Sequence, residues 1–334
     1  MSKVYEALRQ KDLEVSTLPG MDPSSASDFS RESETVRHEL GLSDRALQAV
    51  FLVGDEESEY RAEPQSQSET TSRPSEQVSR TAVDFPHLRL GRGDDSRLVF
   101  HTDPRGLAAE QYRLLRRNLE QKFPKGAVLL MTSPAPRDGK TLSAANLCSC
   151  LADSGRSTLL LECDLRQPSL RKLMRTAADS TTGIEAVLAG SAAPEAAVRF
   201  VEDLSVHVAL VQTAPPNPSQ LIRGAGMRNF LAWAREHFDW LVVDGPPIFP
   251  AADVAEISPL TDAVLMVVRA RNTSRHLISK SVDLLGSRLF GVVLNEANVE
   301  SNAYYQYLSD SPKTKSGPAR TVPHNGNSGS ATIR

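Results

Sequence analysis

A Gly-Lys-Thr tripeptide, Gly139 to Thr141, stands between an apolar run and a segment with helical spacing of apolar residues. The apolar run, residues 128–131, predicts a short buried strand. In the order strand, loop, helix, the loop N–H groups and the free N–H groups of the first helical turn face one concavity that suits an anion. Lys140 would add a positive charge and Thr141 a hydroxyl for Mg²⁺. The pattern predicts a phosphate-binding P-loop, although Pro134 replaces the first Gly of G-x-x-x-x-G-K-[ST]; an ordinary strand–helix turn with a surface lysine is the alternative.

Polar residues follow other apolar runs at the points where strands should end. Asp164 follows the run at 158–161, Asp244 follows 241–243, and Asn295 follows 291–294. Functional residues of a parallel sheet gather at the carboxyl ends of its strands, so these side chains should meet the P-loop. Asp244 fits a carboxylate that supports Mg²⁺, and Asp164 could reach the same ion or an incoming nucleophile. For either residue alone, a cap of the following segment is the alternative.

The elements that must position these residues alternate along the chain. Apolar runs at 128–131, 158–161, 210–211, 241–243, 263–268 and 291–294 predict strands, and helical spacing predicts helices at 107–119, 141–152, 226–237 and 277–285. Continuous apolar strands alternating with helices are typical of a parallel sheet that is covered on both faces. The predicted fold is therefore α/β, with a mostly parallel sheet and helices on both faces.

Charge and composition divide the chain into three parts. Residues 1–82 carry 9 Lys and Arg against 16 Asp and Glu, residues 83–310 carry 25 of each sign, and residues 311–334 carry four basic residues and no acidic one. We predict an acidic, largely disordered N-terminal region (1–82), an α/β domain that carries the P-loop (83–310) and a disordered basic tail (311–334). Within the first part, short helices are predicted at Met1–Glu14 and within 36–53, and 54–80 reads as a linker.

Several classes of function are disfavoured by the composition. The neutral central part lacks the basic surface of a nucleic-acid-binding groove, so no nucleic-acid partner is expected. The three cysteines and seven histidines show no zinc spacing, and the cysteines are expected to be reduced core residues of a cytosolic protein. No signal peptide and no apolar run of about 20 residues is found, so any membrane association is expected to come through a partner.

A charged stripe precedes the first predicted strand of the P-loop unit. Glu110, Arg113 and Arg116 follow E-x-x-R-x-x-R within the predicted helix and should share one face of it. The stripe is either a solvated face with local ion pairs or a surface that meets a neighbouring subunit.

Taken together, the motifs resemble those of the bacterial tyrosine kinases (BY-kinases) of capsule and exopolysaccharide export. The resemblance covers residues 95–308 in order, and it rests on TSPAPRDGKT (Walker A), LLLECDLRQP (Walker A′), TGIEAVLAG, PPNPSQLI, FDWLVVDGPP (Walker B) and the tyrosine cluster in NAYYQYLSD. The E-x-x-R-x-x-R stripe is similar to the motif that builds the ring-shaped oligomers of that family. The fold implied is a P-loop NTPase of the ParA/MinD-like type.

The resemblance implies ATP-dependent autophosphorylation on tyrosine, with roles for named residues. Lys140, Asp164 and Asp244 would be catalytic, and Thr141, Asp164 and Asp244 would hold Mg²⁺. Oligomerisation would use Glu110, Arg113 and Arg116, and phosphorylation would fall on Tyr304, Tyr305 and Tyr307. ATP would bind Ala135, Pro136, Arg137, Asp138, Gly139, Lys140, Thr141, Leu142 and Asn295.

The resemblance also implies partners and a location. We expect a homo-oligomeric ring, a membrane polysaccharide co-polymerase or chain-length regulator as activator, and a tyrosine phosphatase. The chain itself would be cytoplasmic and recruited to the inner face of the plasma membrane. Two alternatives remain: a ParA/MinD-like regulatory ATPase, and a catalytically weak ATP-binding scaffold for polysaccharide export. Residues 133–139 lack the additional early lysine of ParA/MinD-like loops, which argues against the first.

Two positions depart from the family pattern. Arg137 stands where the family usually has glycine, so its Cβ could crowd the loop or its charge could assist the phosphates. Glu162 replaces the first Asp of Walker A′ and keeps the charge on a side chain one methylene longer. Both departures bear on catalytic rate more than on fold.

Overall fold

The computed structural model describes residues 49–52, 85–91, 97–176, 182–249 and 252–297. These residues form one sheet of nine strands. The strands are Ala49–Leu52 (β1), His87–Leu88 (β2), Val128–Thr132 (β3), Thr158–Glu162 (β4), Val198–Val201 (β5), Val206–Ala209 (β6), Trp240–Asp244 (β7), Ala263–Arg269 (β8) and Leu289–Asn295 (β9).

Nine α-helices connect or flank these strands within the described ranges. They are Val99–Thr102 (α1), Leu107–Lys122 (α2), Lys140–Asp153 (α3), Leu170–Met174 (α4), Ile184–Leu188 (α5), Pro218–Arg223 (α6), Ala225–His237 (α7), Asp253–Ile257 (α8) and Arg275–Leu285 (α9).

The sheet is mostly parallel, as predicted. Its strand order is β1-β9-β8-β3-β7-β4-β6-β5-β2, and the one antiparallel pair among the described strands is β5 with β6. β3 therefore lies in the interior of the sheet between β7 and β8, and β4 follows on the other side of β7. Because these four strands run parallel with one another and with β9, their carboxyl ends share one edge, where a ligand site is expected.

Alternate residues of the central strands feed two separate hydrophobic cores. On β3, Leu130 packs in the core built with α5 to α9, and Leu129 packs in the core built with α1 to α4. Every residue of β3, β4 and β7 is buried. Two covered faces explain why these strands are continuous apolar runs instead of alternating ones.

Two local predictions were wrong. Residues 49–52, inside the segment predicted to hold a helix, form β1 and pair in parallel with β9, because pairing with a sheet edge outweighs local helical preference. Leu210 and Val211 lie just beyond β6, which ends at Ala209. The predicted helix at Met1–Glu14 and the linker lie outside the described residues, and the predicted domain boundaries stay predictions.

The three cysteines are free and buried. Cys148 and Cys150 lie on α3, and Cys163 follows β4, so all three fill core space as expected. Among the described helices, none has the length and apolar character needed to cross a membrane.

Candidate nucleotide site

The loop from Ser133 to Gly139 links β3 to α3 and depends on two residues in the left-handed region. Gly139 has φ 96°, and a Cβ built there would lie 2.1 Å from Nδ2 of Asn295, so glycine is required by both conformation and space. Arg137 has φ 69°, a conformation that costs a non-glycine residue about 1–2 kcal/mol. Its side chain is exposed, so the substitution strains the backbone without crowding the protein interior.

Asp138 holds the loop together from inside. Its buried carboxylate accepts hydrogen bonds from the Ala135 N–H (3.0 Å) and the Thr273 hydroxyl (2.9 Å). Burial raises the pKa of Asp138, against the opposing effect of these hydrogen bonds and of Arg269. Both oxygens of this carboxylate are used to hold the loop.

Asn295, at the end of β9, also holds this loop. Its Nδ2 donates to the carbonyl oxygen of Asp138 at 3.1 Å, and the side chain is 5% exposed. The predicted nucleotide contact of Asn295 is therefore accompanied by a structural role that fixes where Gly139 lies.

Helix α3 begins at Lys140 with its N-terminus uncapped by any side chain of the described residues. Free N–H groups at a helix start, together with the helix dipole, favour a bound anion. The helix start therefore offers the unpaired donors that a phosphate requires.

Lys140 is paired with Asp164 in this structure. Its Nζ lies 2.9 Å from Oδ2 of Asp164, and both side chains are almost fully buried. Burial lowers the pKa of Lys140, but the charges of Asp244 and Asp164 outweigh that effect and raise it overall. Lys140 is thus an ammonium that is ion-paired with Asp164 and further stabilised by the charge of Asp244.

Asp244 ends β7 beside both groups, in register with Met131 of β3 and Glu162 of β4. Its carbonyl oxygen accepts the N–H groups of Cys163 (2.9 Å) and Asp164 (3.0 Å), which pins the start of the Walker A′ turn to the end of the Walker B strand. The two predicted carboxylates therefore have a fixed backbone relationship.

The carboxylate of Asp244 is fully buried, and neither oxygen meets the geometry of a hydrogen bond with the described residues. Burial raises the pKa of Asp244 to about 7, although the Lys140 charge and the nearby Thr141 hydroxyl favour the ionised form. A buried acceptor without a partner is costly and calls for an explanation by a missing ligand or ion.

These oxygens fit a magnesium ion. Mg²⁺ takes oxygen ligands and uses one or two carboxylates together with water and phosphate oxygens. Asp244 and the Thr141 hydroxyl, which also accepts from Ser169 Oγ at 3.1 Å, supply that donor type. No group of three or more His, Cys, Asp or Glu suited to a metal occurs in the part of the chain that the structure describes, and such a magnesium site does not require one.

Glu162 has a structural position that the sequence did not reveal. Its Oε1 accepts the N–H groups of Ser169 (2.6 Å) and Leu170 (2.8 Å), and its Oε2 accepts the N–H of Val211 (2.9 Å). Burial raises the pKa of Glu162, while these three backbone hydrogen bonds oppose the rise. The side chain reaches from β4 to the start of α4 and to the segment after β6. Both oxygens of Glu162 therefore accept hydrogen bonds from the backbone.

The predicted oligomerisation stripe lies on α2, apart from this site. Arg113 pairs with Glu110 and donates to the Pro104 carbonyl at 2.7 Å. Arg116 donates to the Cys150 carbonyl at 2.9 Å, near the C-terminus of α3 where carbonyl groups lack helical partners. The stripe therefore takes part in contacts within its own chain, and its role between subunits stays a prediction.

The predicted acceptors Tyr304, Tyr305 and Tyr307 lie outside the described residues. Tyr112, the one tyrosine that the structure describes, is 1% exposed in the core beneath α2.

Sequence reasoning missed four side chains that support the site. Thr273 holds Asp138, and Ser169 contacts Thr141. Ser219 and Asp253 bind Arg166, two residues after Asp164. No spacing signal identifies them, because each contact joins segments far apart in the chain.

The fold and the site together define a P-loop NTPase of the ParA/MinD-like type. Comparison with known proteins narrows this class. The chain is 28% identical over 227 residues to the tyrosine-protein kinase YwqD of Bacillus subtilis, covering 66% of this chain and 95% of that protein. It is 30% identical over 244 residues to the succinoglycan biosynthesis transport protein ExoP of Rhizobium meliloti, covering 70% of this chain but 30% of that protein.

A solved structure of a tyrosine kinase domain is also similar to this chain. The kinase domain of the Escherichia coli tyrosine kinase ETK matches with a TM-score of 0.56 and 26% identity, covering 59% of this chain and 79% of that one. No protein-family model matches the chain. These similarities and the motifs above show that the chain is similar to bacterial tyrosine kinases and to a protein of polysaccharide biosynthesis.

Proposed function

We propose that this chain is an ATP-dependent protein-tyrosine autokinase that regulates the polymerisation and export of a capsular or extracellular polysaccharide. The observation that carries the proposal is the convergence of Lys140, Asp164 and Asp244 at the carboxyl edge of the sheet, beside an uncapped helix start. This arrangement occurs in a chain similar to proteins named as tyrosine kinases.

ATP would bind with its phosphates against the loop 133–139 and the first turn of α3. Backbone N–H groups would donate to phosphate oxygens, and Lys140 would exchange Asp164 for the β and γ phosphates. Ala135, Pro136, Arg137, Asp138 and Leu142 would contribute through their place in or beside the loop, and Asn295 by holding Gly139 in position.

Mg²⁺ would be held by Asp244, Thr141 and Asp164. When bound, it would supply positive charge that offsets the charge developing on the phosphate oxygens. The two unpartnered oxygens of Asp244 support this assignment, because the ion would supply the missing partner.

Asp164 would accept the proton of the attacking tyrosine hydroxyl. A general base must lie within hydrogen-bond reach of the proton that it takes. Once Lys140 turns to the phosphates, Oδ2 of Asp164 loses its present donor, while Oδ1 keeps the Gln167 N–H at 3.1 Å. One oxygen is then released for chemistry while the other keeps the side chain oriented.

The acceptors would be Tyr304, Tyr305 and Tyr307 of a neighbouring subunit in a ring-type oligomer that uses Glu110, Arg113 and Arg116. A membrane polysaccharide co-polymerase or chain-length regulator would recruit the chain to the inner face of the plasma membrane and activate it. A tyrosine phosphatase would reverse the modification. The family resemblance supports these proposals, as does the similarity to ExoP, a succinoglycan biosynthesis transport protein.

Following the γ-phosphate of ATP tests the proposal. The purified chain is incubated with Mg²⁺ and ATP labelled at the γ-phosphate. The amount of label in free phosphate, in phosphotyrosine and in unreacted ATP is then measured. We expect label in phosphotyrosine that disappears with Lys140→Ala. Rapid release of free phosphate without any phosphotyrosine would favour the regulatory ATPase, and ATP binding without turnover would favour the scaffold.

A further inference from the structure

A closed ring of three hydrogen bonds holds Arg166 beside the Walker A′ turn. Arg166 Nε donates to Oδ2 of Asp253 at 2.8 Å, and its second guanidinium nitrogen donates to Ser219 Oγ at 2.7 Å. Ser219 Oγ in turn donates to Oδ1 of Asp253 at 2.6 Å. Each of the three polar groups binds the other two, which fixes the guanidinium plane in both direction and tilt.

The ring joins three segments that are distant in sequence. Arg166 follows β4, Ser219 lies in the first turn of α6, and Asp253 begins α8. Asp253 is 3% exposed, and its two oxygens are both used within the ring. A carboxylate is costly to bury unless it is paired, so this burial is accounted for by Arg166 and Ser219.

Two sequence motifs that the proposed chemistry does not use build the platform for Ser219. In the TGIEAVLAG segment, Glu185 accepts the N–H groups of Gln212 (3.1 Å) and Thr213 (2.9 Å). Glu162 accepts the N–H of Val211. These contacts fix the chain after β6, from which the PPNPSQLI segment leads into α6 and brings Ser219 to the guanidinium.

The ring acts on Asp164 through a short turn. Oδ1 of Asp164 accepts the N–H of Gln167, and Oδ2 accepts Lys140 Nζ. Arg166 lies within this four-residue turn, so its backbone cannot move without shifting the group that orients the Asp164 carboxylate. Anchoring the Arg166 side chain therefore restricts the position of Asp164.

We propose that Asp253 and Ser219 are positioning residues, which hold Arg166 so that the turn keeps the Asp164 carboxylate aimed at the reacting centre. The inference rests on the proposed function. It assigns a task to Asp253, and it explains why the TGIEAVLAG and PPNPSQLI segments belong to the same machinery as the P-loop.

A double-mutant cycle tests the ring. Arg166→Gln, Asp253→Asn and the double variant are compared with wild type for the kcat of tyrosine phosphorylation, the KM for Mg-ATP and Tm. We expect each single variant to lower kcat by about tenfold or more with KM unchanged, because misplacement of a catalytic group affects the chemical step. The double variant should be no slower than the worse single variant, and Ser219→Ala should cause a smaller loss of the same type.

The Arg235–Asp262 ion pair provides a matched control. The two guanidinium nitrogens of Arg235 lie 2.7 and 3.0 Å from the two carboxylate oxygens of Asp262. Asp262 directly precedes β8, so this pair lies at the amino end of a strand, away from the carboxyl edge that carries the site. Arg235→Gln should leave kcat unchanged even if Tm falls. The proposal would be overturned if Arg235→Gln lowered kcat as much as Arg166→Gln, or if Asp253→Asn left kcat unchanged. It would also be overturned if the losses of the two single variants multiplied in the double variant.

A second readout separates this proposal from the proposed function. The ¹³Cγ resonance of Asp164, assigned by its loss in Asp164→Asn, is recorded in the unliganded protein. We expect it to shift or broaden in Asp253→Asn and to stay in place in Arg235→Gln. If wild type forms no phosphotyrosine, the proposed function fails and this resonance still decides the positioning role; an unmoved resonance in Asp253→Asn overturns it.

Discussion

Lys140 and Asp164 form a buried ion pair, with 2.9 Å between Nζ and Oδ2. The residue proposed to meet the phosphates is therefore bound to the residue proposed to take the tyrosine proton. ATP phosphates would compete for the ammonium, and their binding would free one oxygen of Asp164. In this account nucleotide binding and exposure of the base are a single event.

Asp244 should make the free energy of unfolding of the unliganded protein depend on pH. Burial raises the pKa of Asp244 to about 7 in the folded state from an ordinary value of 3.8, so between these pH values the folded state holds a proton that the unfolded state has lost. The stabilisation of the folded state by this proton on Asp244 is therefore fully present below about pH 4, and it is lost as the pH rises through about 7. The full shift corresponds to about 4 kcal/mol, an order-of-magnitude figure.

Urea unfolding in EDTA at several pH values measures this effect. Wild type should lose stability relative to Asp244→Asn between pH 5 and pH 8, by up to a few kcal/mol. Parallel curves for the two proteins across that range would show that Asp244 ionises in the folded state as it does in the unfolded chain.

Glu162 should matter more for folding than for binding of the metal–nucleotide. In Glu162→Gln one of the three backbone N–H groups faces an amide NH₂ in place of an acceptor. We expect a loss of about 1–3 kcal/mol in the free energy of unfolding, measured in urea, with the Kd for Mg-ATP unchanged. Glu256→Gln, at an exposed position of α8, is the control. A large loss of Mg²⁺-dependent affinity at full stability would instead make Glu162 a metal ligand.

The sequence predicted the central strands, the parallel sheet and the placement of Asp164, Asp244 and Asn295 at one edge, because apolar runs and strand ends are local signals. It could not predict the strand at Ala49–Leu52 or the antiparallel β5, whose conformations depend on neighbours in the sheet. The contact of Asp138 with Thr273 and the contacts of Arg166 with Asp253 and Ser219 were also missed. Each is a contact across more than fifty residues, which no spacing rule encodes.

Arg113 should be required for assembly. Arg113→Glu places a second negative charge beside Glu110 and would oppose the charge pattern of a neighbouring stripe. We expect light scattering to show monomers where wild type is oligomeric, with unchanged circular dichroism. Arg117→Glu makes the same charge change at an exposed position of the same helix outside the pattern, and it should leave the mass unchanged. The same mass for the two variants would indicate that the stripe makes only local ion pairs within its own chain.

Transfer should occur between subunits. A Lys140→Ala chain that keeps its tyrosines is mixed with a chain that has an intact site but lacks Tyr304, Tyr305 and Tyr307. We expect phosphotyrosine on the cluster of the Lys140→Ala chain, because an acceptor tail must enter a neighbour's site. Label confined to Tyr5 or Tyr60 would refute the acceptor assignment, and label on Tyr112 would require the core to open, since that residue is 1% exposed.

The most direct test of the account is mass-spectrometric mapping of phosphotyrosine in the purified chain after incubation with Mg-ATP, with and without a polysaccharide co-polymerase fragment. Wild type, Lys140→Ala and Asp244→Ala are compared after circular dichroism confirms that all three are folded. The account predicts phosphate on Tyr304, Tyr305 and Tyr307 in wild type and none in either variant. Phosphotyrosine at wild-type level in folded Lys140→Ala protein would contradict it.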